Sequence, residues 1–260
     1  MDGVNKTLYI PLYGKAYVSR NGLFLQDKSA ETIWETEGFP LKGKAKSKWL
    51  AYNMGMRAAV FDRWTVEKLS ENPGAVVLHL GCGLDGRVCR VPHKDHNWYD
   101  VDFPEVIGER KKFFRETDKD HMVASDVRKD EWLEDISGPT AIVVMEGLSM
   151  YLQLEQLQQL LQNIKEQFAH TYLMMDTYTV FAARATKYKN PINTVGVTQV
   201  YGLDSPEVLT GETGFWFAKE HSLTPDCLIA ELPPKEQRFF RMMFAGKMAK
   251  KIYRLYEYEA

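Results

Sequence analysis

The stretch Val76-Val77-Leu78-His79-Leu80-Gly81-Cys82-Gly83-Leu84-Asp85-Gly86 decides how this chain reads. Its first five residues form an apolar run of strand length, and the glycines bring that run to a stop. A buried strand ending in glycines lets a ligand approach bare backbone, because a side chain at Gly81 or Gly83 would collide with it. The pattern G-x-G-x-x-G is weak evidence alone. It gains weight from Asp102, which follows Gly83 by 19 residues at the end of a second strand-like run. An acidic group there suits the two hydroxyls of a ribose. Loop and acid together point to a nucleoside-bearing cofactor.

Working outward, strands are expected over Val76–Leu80, Trp98–Val101, His121–Ala124, Ala141–Met145 and Tyr172–Met175. They alternate with helical patterns, as a mostly parallel α/β sheet requires. Pro104 opens one helix, with Val106, Ile107, Phe113 and Phe114 as its packed face. Leu154, Leu157, Leu161, Ile164 and Phe168 recur at spacings of three and four, the core face of another. About 75 residues before the first strand read as mostly helical and must cover something. The segment Tyr178–Asp204 is long and only partly patterned, as lids and binding loops often are. Pro206–Leu209 reads as a short helix, Phe215–His221 as a strand, Glu236–Lys250 as a helix and Ile252–Tyr258 as a strand. The two late strands complete a seven-stranded sheet with one strand inserted antiparallel. No Pro/Gly/Ser-rich linker divides the 260 residues, so the expectation is one domain.

Composition excludes several classes. With 33 Lys+Arg against 35 Asp+Glu the formal net charge is −2, which argues against a strongly basic nucleic-acid footprint. No apolar stretch approaches the ~20 residues of a membrane span, and Met1–Lys6 lacks the apolar core of a signal peptide. Cys82, Cys89 and Cys227 are odd in number and lack metal-ligand spacing, so a reducing cytoplasm is the simplest setting and no metal is expected. His93 and His96 read as solvated, and His79 as hydrogen-bonded near the glycine loop.

Four charged residues stand where a plain core would not place them. Arg57 lies in the stripe Leu50, Met54, Arg57, Phe61, Trp64, so its guanidinium faces inward and needs an anion. Three roles are open to it: an internal salt bridge, snorkelling from the stripe's edge, or a clamp on a ligand carboxylate. Asp100 and Asp102 share one side of their strand. Asp102 is nearer the carboxyl end, where open α/β sheets bind ligands, and its rival role is a cap for the Pro104 helix. Asp126 follows the third strand and suits an adenine amino group, with Val127 backbone beside it; a simple N-cap or surface acid is the alternative. Glu146 directly follows the buried run Ala141–Met145 and faces the crevice, where it is expensive to desolvate unless paired.

These residues resemble the class I S-adenosylmethionine methyltransferases. More narrowly, the chain is similar to the leucine carboxyl methyltransferase family, including its bacterial tetracenomycin-type polyketide O-methyltransferase branch. Four stretches carry the resemblance: Leu12–Ser19 with Asp27 downstream, Val77–Asp85, Trp98–Val106 and Met145–Leu152. It extends from about residue 7 to residue 220. It implies a Rossmann-like, seven-stranded fold with a helical N-terminal cover (1–75), a cofactor-binding core (76–176), an acceptor-side insertion or lid (177–214) and C-terminal strands and helix (215–260). It further implies S-adenosylmethionine as cofactor and roles for matched positions. Lys15 and Arg57 would hold the methionine carboxylate, and Gly81 and Gly83 would border the methionine and ribose. Asp102 would take the ribose diol, Asp126 and Val127 the adenine, and Glu146 the methionine amino group. Tyr151 would lie near the methyl acceptor. His79 departs from the class, where many members carry an acid, and Tyr178–Trp216 matches weakly.

Methyl transfer from a sulfonium is an in-line displacement, so grip on both partners matters more than acid–base machinery. A carboxylate acceptor needs no base, whereas a phenol of pKa ~10 gains from one. Asp176, expected at the end of the fifth strand, and the hydroxyls of Tyr151 and Tyr178 are the candidates. Phe215, Trp216, Tyr201 and Tyr178 are candidates for an aromatic acceptor pocket. The expected function is a cytoplasmic O-methyltransferase acting on a small molecule, a polyketide-like phenol or carboxylic acid, with neither nucleic acid nor membrane as partner. The alternatives are a cofactor-binding protein without transferase activity and a nicotinamide-dependent oxidoreductase. Oligomeric state is not legible.

Overall fold

A computed structural model describes residues 8–38, 41, 43–93, 95–185 and 199–260. The helices are α1 (Tyr9–Arg20), α2 (Lys28–Glu37), α3 (Lys48–Glu71), α4 (Arg87–Arg90), α5 (Pro104–Arg110), α6 (Leu154–Gln167), α7 (Val180–Ala185), α8 (Asp226–Ile229), α9 (Pro234–Phe244) and α10 (Gly246–Lys250). The strands are β1 (Val76–Leu80), β2 (Trp98–Asp102), β3 (Asp120–Ala124), β4 (Thr140–Met145), β5 (His170–Tyr178), β6 (Trp216–His221) and β7 (Tyr253–Glu259). They form one seven-stranded sheet in the order β3-β2-β1-β4-β5-β7-β6, with β7 antiparallel to both its neighbours.

Central strands β1 and β4 are buried at every position, which is why they read as continuous apolar runs. Their side chains alternate between two cores. Leu78, Leu80, Val143 and Met145 pack with Leu157, Leu161 and Ile164 of α6. Val77, Ile142 and Val144 pack on the other face with Met56, Phe61 and Trp64 of α3. The N-terminal helices thus cover one face of the sheet, as their apolar patterning requires.

Two glycines set how closely α1 and α3 cross. A Cβ on Gly14 would lie 2.6 Å from Cβ of Met54, and one on Gly55 would lie 2.6 Å from a methyl of Val18. Asp27 caps α2 by accepting from the Ala30 N–H at 2.9 Å, and its other oxygen pairs with Arg90.

Some boundaries differ from the sequence reading. β5 continues past Met175 to Tyr178 because β7 pairs with it throughout, Leu255 opposite Asp176 and Tyr253 opposite Tyr178. Asp176 therefore lies inside a strand, not at its end. The expected helix Glu236–Lys250 is two helices, α9 and α10, broken at Ala245 and Gly246, where Gly246 takes φ +62°. Residues 186–198 of the expected lid lie outside the described residues; α7 occupies its start, and Pro206–Leu209 is a short 3₁₀ turn, as read.

Candidate active site

Strand order reverses at β1, whose neighbours β2 and β4 leave it in opposite chain directions. Such a switch point opens a crevice beyond the carboxyl ends of the strands. Here it is a cavity of about 950 Å³, lined by the loops after β1, β2, β3 and β4, by α1 and α3, and by the C-terminal helices. That volume lies near the upper end of the ~300–1,000 Å³ typical of small-molecule sites.

The glycine loop forms one wall. Gly81 and Gly83 both line the cavity and take φ of +64° and +52°, which side-chain-bearing residues rarely adopt. Asp102 is held against this loop: its carboxylate accepts from the Gly83 N–H at 2.8 Å and from the Phe103 N–H at 2.7 Å. Burial raises its pKa to about 6, against the opposing pull of these two N–H groups and Arg110. Each oxygen keeps a further lone pair, so the group can still accept from a diol. Asp100, its rival by alternation, is spent within the fold. It accepts from His79 at 2.8 Å, from Trp98 at 3.0 Å and from Arg110, whose guanidinium also donates to the carbonyls of Gly83 and Asp85.

At the inner end, Glu146 sits among three cations. Arg57 lies 3.0 Å from it, Lys15 lies 3.4 Å away, and Arg87 bonds its other oxygen. Burial pushes the Glu146 carboxyl up, but Lys15, Arg57 and Arg87 together hold it below the usual carboxylate range. Lys15 also pairs with Asp85 at 2.6 Å. Arg57, 4% exposed, bonds Asp176 at 2.9 Å and the Tyr253 hydroxyl at 2.8 Å. The internal salt bridge weighed for Arg57 is therefore present, while the residue also lines the cavity.

Asp126 and Val127 lie together on the wall after β3. The Asp126 carboxylate accepts from the backbone and side chain of Arg128, which lowers its pKa. Tyr151 and Tyr178 line the cavity, and the Tyr178 ring packs edge-on to Tyr253 at 5.0 Å. Asp176 departs from expectation as a candidate base. It is fully buried and outside the lining, with one oxygen taken by the Gly147 N–H at 2.7 Å and the other by Arg57 and Tyr253. It positions Arg57 and the turn after β4. Of the aromatic candidates only Tyr178 reaches the cavity: Phe215 is in the core and Trp216 is exposed on the edge strand. The Tyr201 hydroxyl accepts from Gln153 and Gln199.

Sequence reading missed Asp85 and Tyr253 in the lining, Arg87 buried behind Glu146, and the apolar wall made by Trp49, Met243, Phe244 and Ile252. Arg87 carried a faint signal, a cation directly after the glycine loop. Nothing local marked the others. Among the described residues no group of three or more His, Cys, Asp or Glu is placed to hold a metal.

The sheet order and the cavity at its crest give the fold of the class I α/β methyltransferases, and solved structures agree. A putative methyltransferase from Thermobifida fusca YX superposes with TM-score 0.55 at 14% identity over 94% of this chain and 93% of its own. Magnesium protoporphyrin IX methyltransferase from Synechocystis PCC 6803, solved with bound S-adenosylhomocysteine, gives 0.54 at 12% identity over 95% and 99%. At these identities the likeness concerns the fold alone. The family model for leucine carboxyl methyltransferase matches residues 11–165. Tetracenomycin polyketide synthesis O-methyltransferase TcmP of Streptomyces glaucescens is 29% identical over 241 residues, 91% of this chain and 89% of its own length. The S-adenosyl-L-methionine-dependent methyltransferase dpfgK of Gibberella zeae is 28% identical over 186 residues, 65% of this chain and 62% of its own. The chain belongs to the leucine carboxyl methyltransferase family and is an S-adenosylmethionine-dependent methyltransferase.

Proposed function

We propose that the protein transfers the methyl group to an oxygen of a small aromatic molecule of polyketide type, and that a carboxylate is favoured over a phenol. The supporting observation is the uneven chemistry of the cavity wall. Its carboxylates and its histidine, Asp85, Asp102, Asp126, Glu146 and His79, all belong to the sheet's crest. The facing wall carries Trp49, Asn53, Met150, Tyr151, Tyr178, Met243, Phe244 and Tyr253, with no carboxylate or imidazole among its described residues. Such a wall suits an acceptor that arrives ionised.

The residues present fit the cofactor. Asp102 keeps acceptor capacity for the ribose diol, and the bare backbone of Gly81 and Gly83 allows close approach. Asp126 and Val127 would take the adenine, and Glu146 the methionine ammonium. Lys15 and Arg57 keep donors beside Glu146 for the methionine carboxylate. Tyr151 and Tyr178 border the acceptor. When bound, S-adenosylmethionine supplies an electrophilic methyl: the C–O bond forms as the C–S bond breaks, and a carboxylate acceptor releases no proton. The chain's own contribution is alignment, worth up to ~7–11 kcal/mol where both partners are held near attack geometry, and an apolar wall that keeps water from the reacting oxygen.

The test is transfer of labelled methyl to a panel of polycyclic aromatic carboxylic acids and phenols. The expected product is an ester that releases labelled methanol in base. Base-stable product on carbon, nitrogen or sulfur would sink the reading, and so would calorimetry that detects no S-adenosylmethionine binding.

A further inference from the structure

We propose that the rim of the cavity around α9 and α10 is a docking surface for an anionic lipid bilayer. Residues 234–252 carry six cations, Lys235, Arg238, Arg241, Lys247, Lys250 and Lys251, against the single acid Glu236, in a chain of formal net charge −2. All six are exposed. Arg241 meets Asp226 at 3.0 Å and Lys250 meets Glu220 at 3.1 Å. The other four have no acidic partner within salt-bridge distance among the described residues.

Apolar side chains are interleaved with these cations. Phe239, Met242 and Met243 are 40%, 66% and 49% exposed. At 3.6 residues per turn, they share one outward arc of α9 with Lys235 and Arg238. Phe240 and Phe244 turn the other way and pack on Tyr52 and Trp49, while Phe239 keeps one side on Trp49 at 4.8 Å and the rest exposed. Glu236 fastens the helix to α3 through Lys48 and Tyr52, both at 2.7 Å. Met243 and the half-exposed Ile252 also line the cavity, so the arc adjoins its opening.

A basic helix face with exposed Phe and Met matches a bilayer interface, where apolar side chains bury ~5–10 Å into the boundary of headgroups and acyl chains and anionic headgroups attract the cations. A second copy of this chain would oppose cation to cation. The sequence 186–198, with Lys187 and Lys189 and no acid, offers no complementary charge either. No helix among the described residues is long and apolar enough to cross a membrane, so the contact is peripheral. Its consequence, that a lipophilic acceptor enters from the bilayer, rests on the acceptor reading above; the docking itself does not.

The experiment is co-sedimentation of the purified protein with phosphatidylcholine vesicles, with and without phosphatidylglycerol, at low and high salt. Binding is expected only with the anionic lipid, falling as salt rises. It should drop about tenfold in the double variant Lys235→Glu, Arg238→Glu, whose affinity for S-adenosylhomocysteine stays unchanged because neither residue lines the cavity. Sedimentation with neither vesicle, as an acidic protein partner would give, overturns the proposal. Equal binding to both vesicles, or an unaffected variant, does the same. Vesicle binding is read without turnover, so a failed methylation assay leaves this result standing.

Discussion

At the scale of single residues, Asp102 ties pH to both stability and binding. Burial lifts its folded pKa to about 6, above the ~3.9 of an unfolded Asp. The folded chain therefore holds this proton more tightly, and the contribution of this group to stability declines as pH rises from about 4 to about 6. Cofactor binding runs the opposite way, because the diol donates to the ionised form. Affinity for S-adenosylmethionine should weaken below about pH 6, by up to about tenfold per pH unit. Calorimetric titration across that range measures it. A flat profile would remove Asp102 from the cofactor's contacts.

At the scale of elements, α3 is stitched to the end of β4 and to the interior of β5 by one side chain. Arg57, itself 4% exposed, joins Glu146, Asp176 and Tyr253 at the inner wall of the cavity. The surrounding negative charge holds the guanidinium charged despite its burial. Arg57→Met leaves the buried Asp176 without its cation, while Glu146 keeps Lys15 and Arg87, and should cost about 3–5 kcal/mol by chemical denaturation, with Arg57→Lys intermediate. The crossing of α1 and α3 gives a second measurement. Gly55→Ala gains about 1 kcal/mol of helix propensity, but its Cβ must displace Val18, and overpacking of about 1–3 kcal/mol outweighs that gain. A net loss of stability is expected, together with weaker cofactor binding, because α1 carries Lys15. Arg57's inward direction was legible from its place in an apolar stripe. Its partners were not, since Glu146 and Asp176 lie 89 and 119 residues away. Asp176 was misplaced for a related reason: the extent of β5 is set by β7, and sequence pattern alone does not reveal a pairing over that distance.

At the scale of the whole molecule, the cavity draws on nearly every part of the chain. Elements from α1 to β7 meet there, so a ligand that joins them stabilises the fold by mass action. At a hundred times its dissociation constant the cofactor should add about 2.7 kcal/mol, a rise in melting temperature of about 5–10 °C in a thermal scan. The crest of the sheet was readable in advance because each strand ends in a local signal: glycines after β1, Asp102 after β2, Asp126 after β3, Glu146 after β4. The facing wall had no such signal. Met243, Phe244 and Ile252 read as ordinary apolar positions, and only the antiparallel insertion of β7 brings them over the crevice.

That insertion also orders events during synthesis. β7 comes later in the sequence than both strands it joins, and it separates them in the sheet. A nascent chain can pair β1 to β5 while the backbone of β5 still offers an unmatched row of donors and acceptors, and β6 waits without a neighbour. Until residues 253–259 leave the ribosome tunnel, the half-built sheet is a template for any passing extended chain. Slow translation just upstream of β7 should therefore send more of the product into inclusion bodies than an equal delay placed before β1.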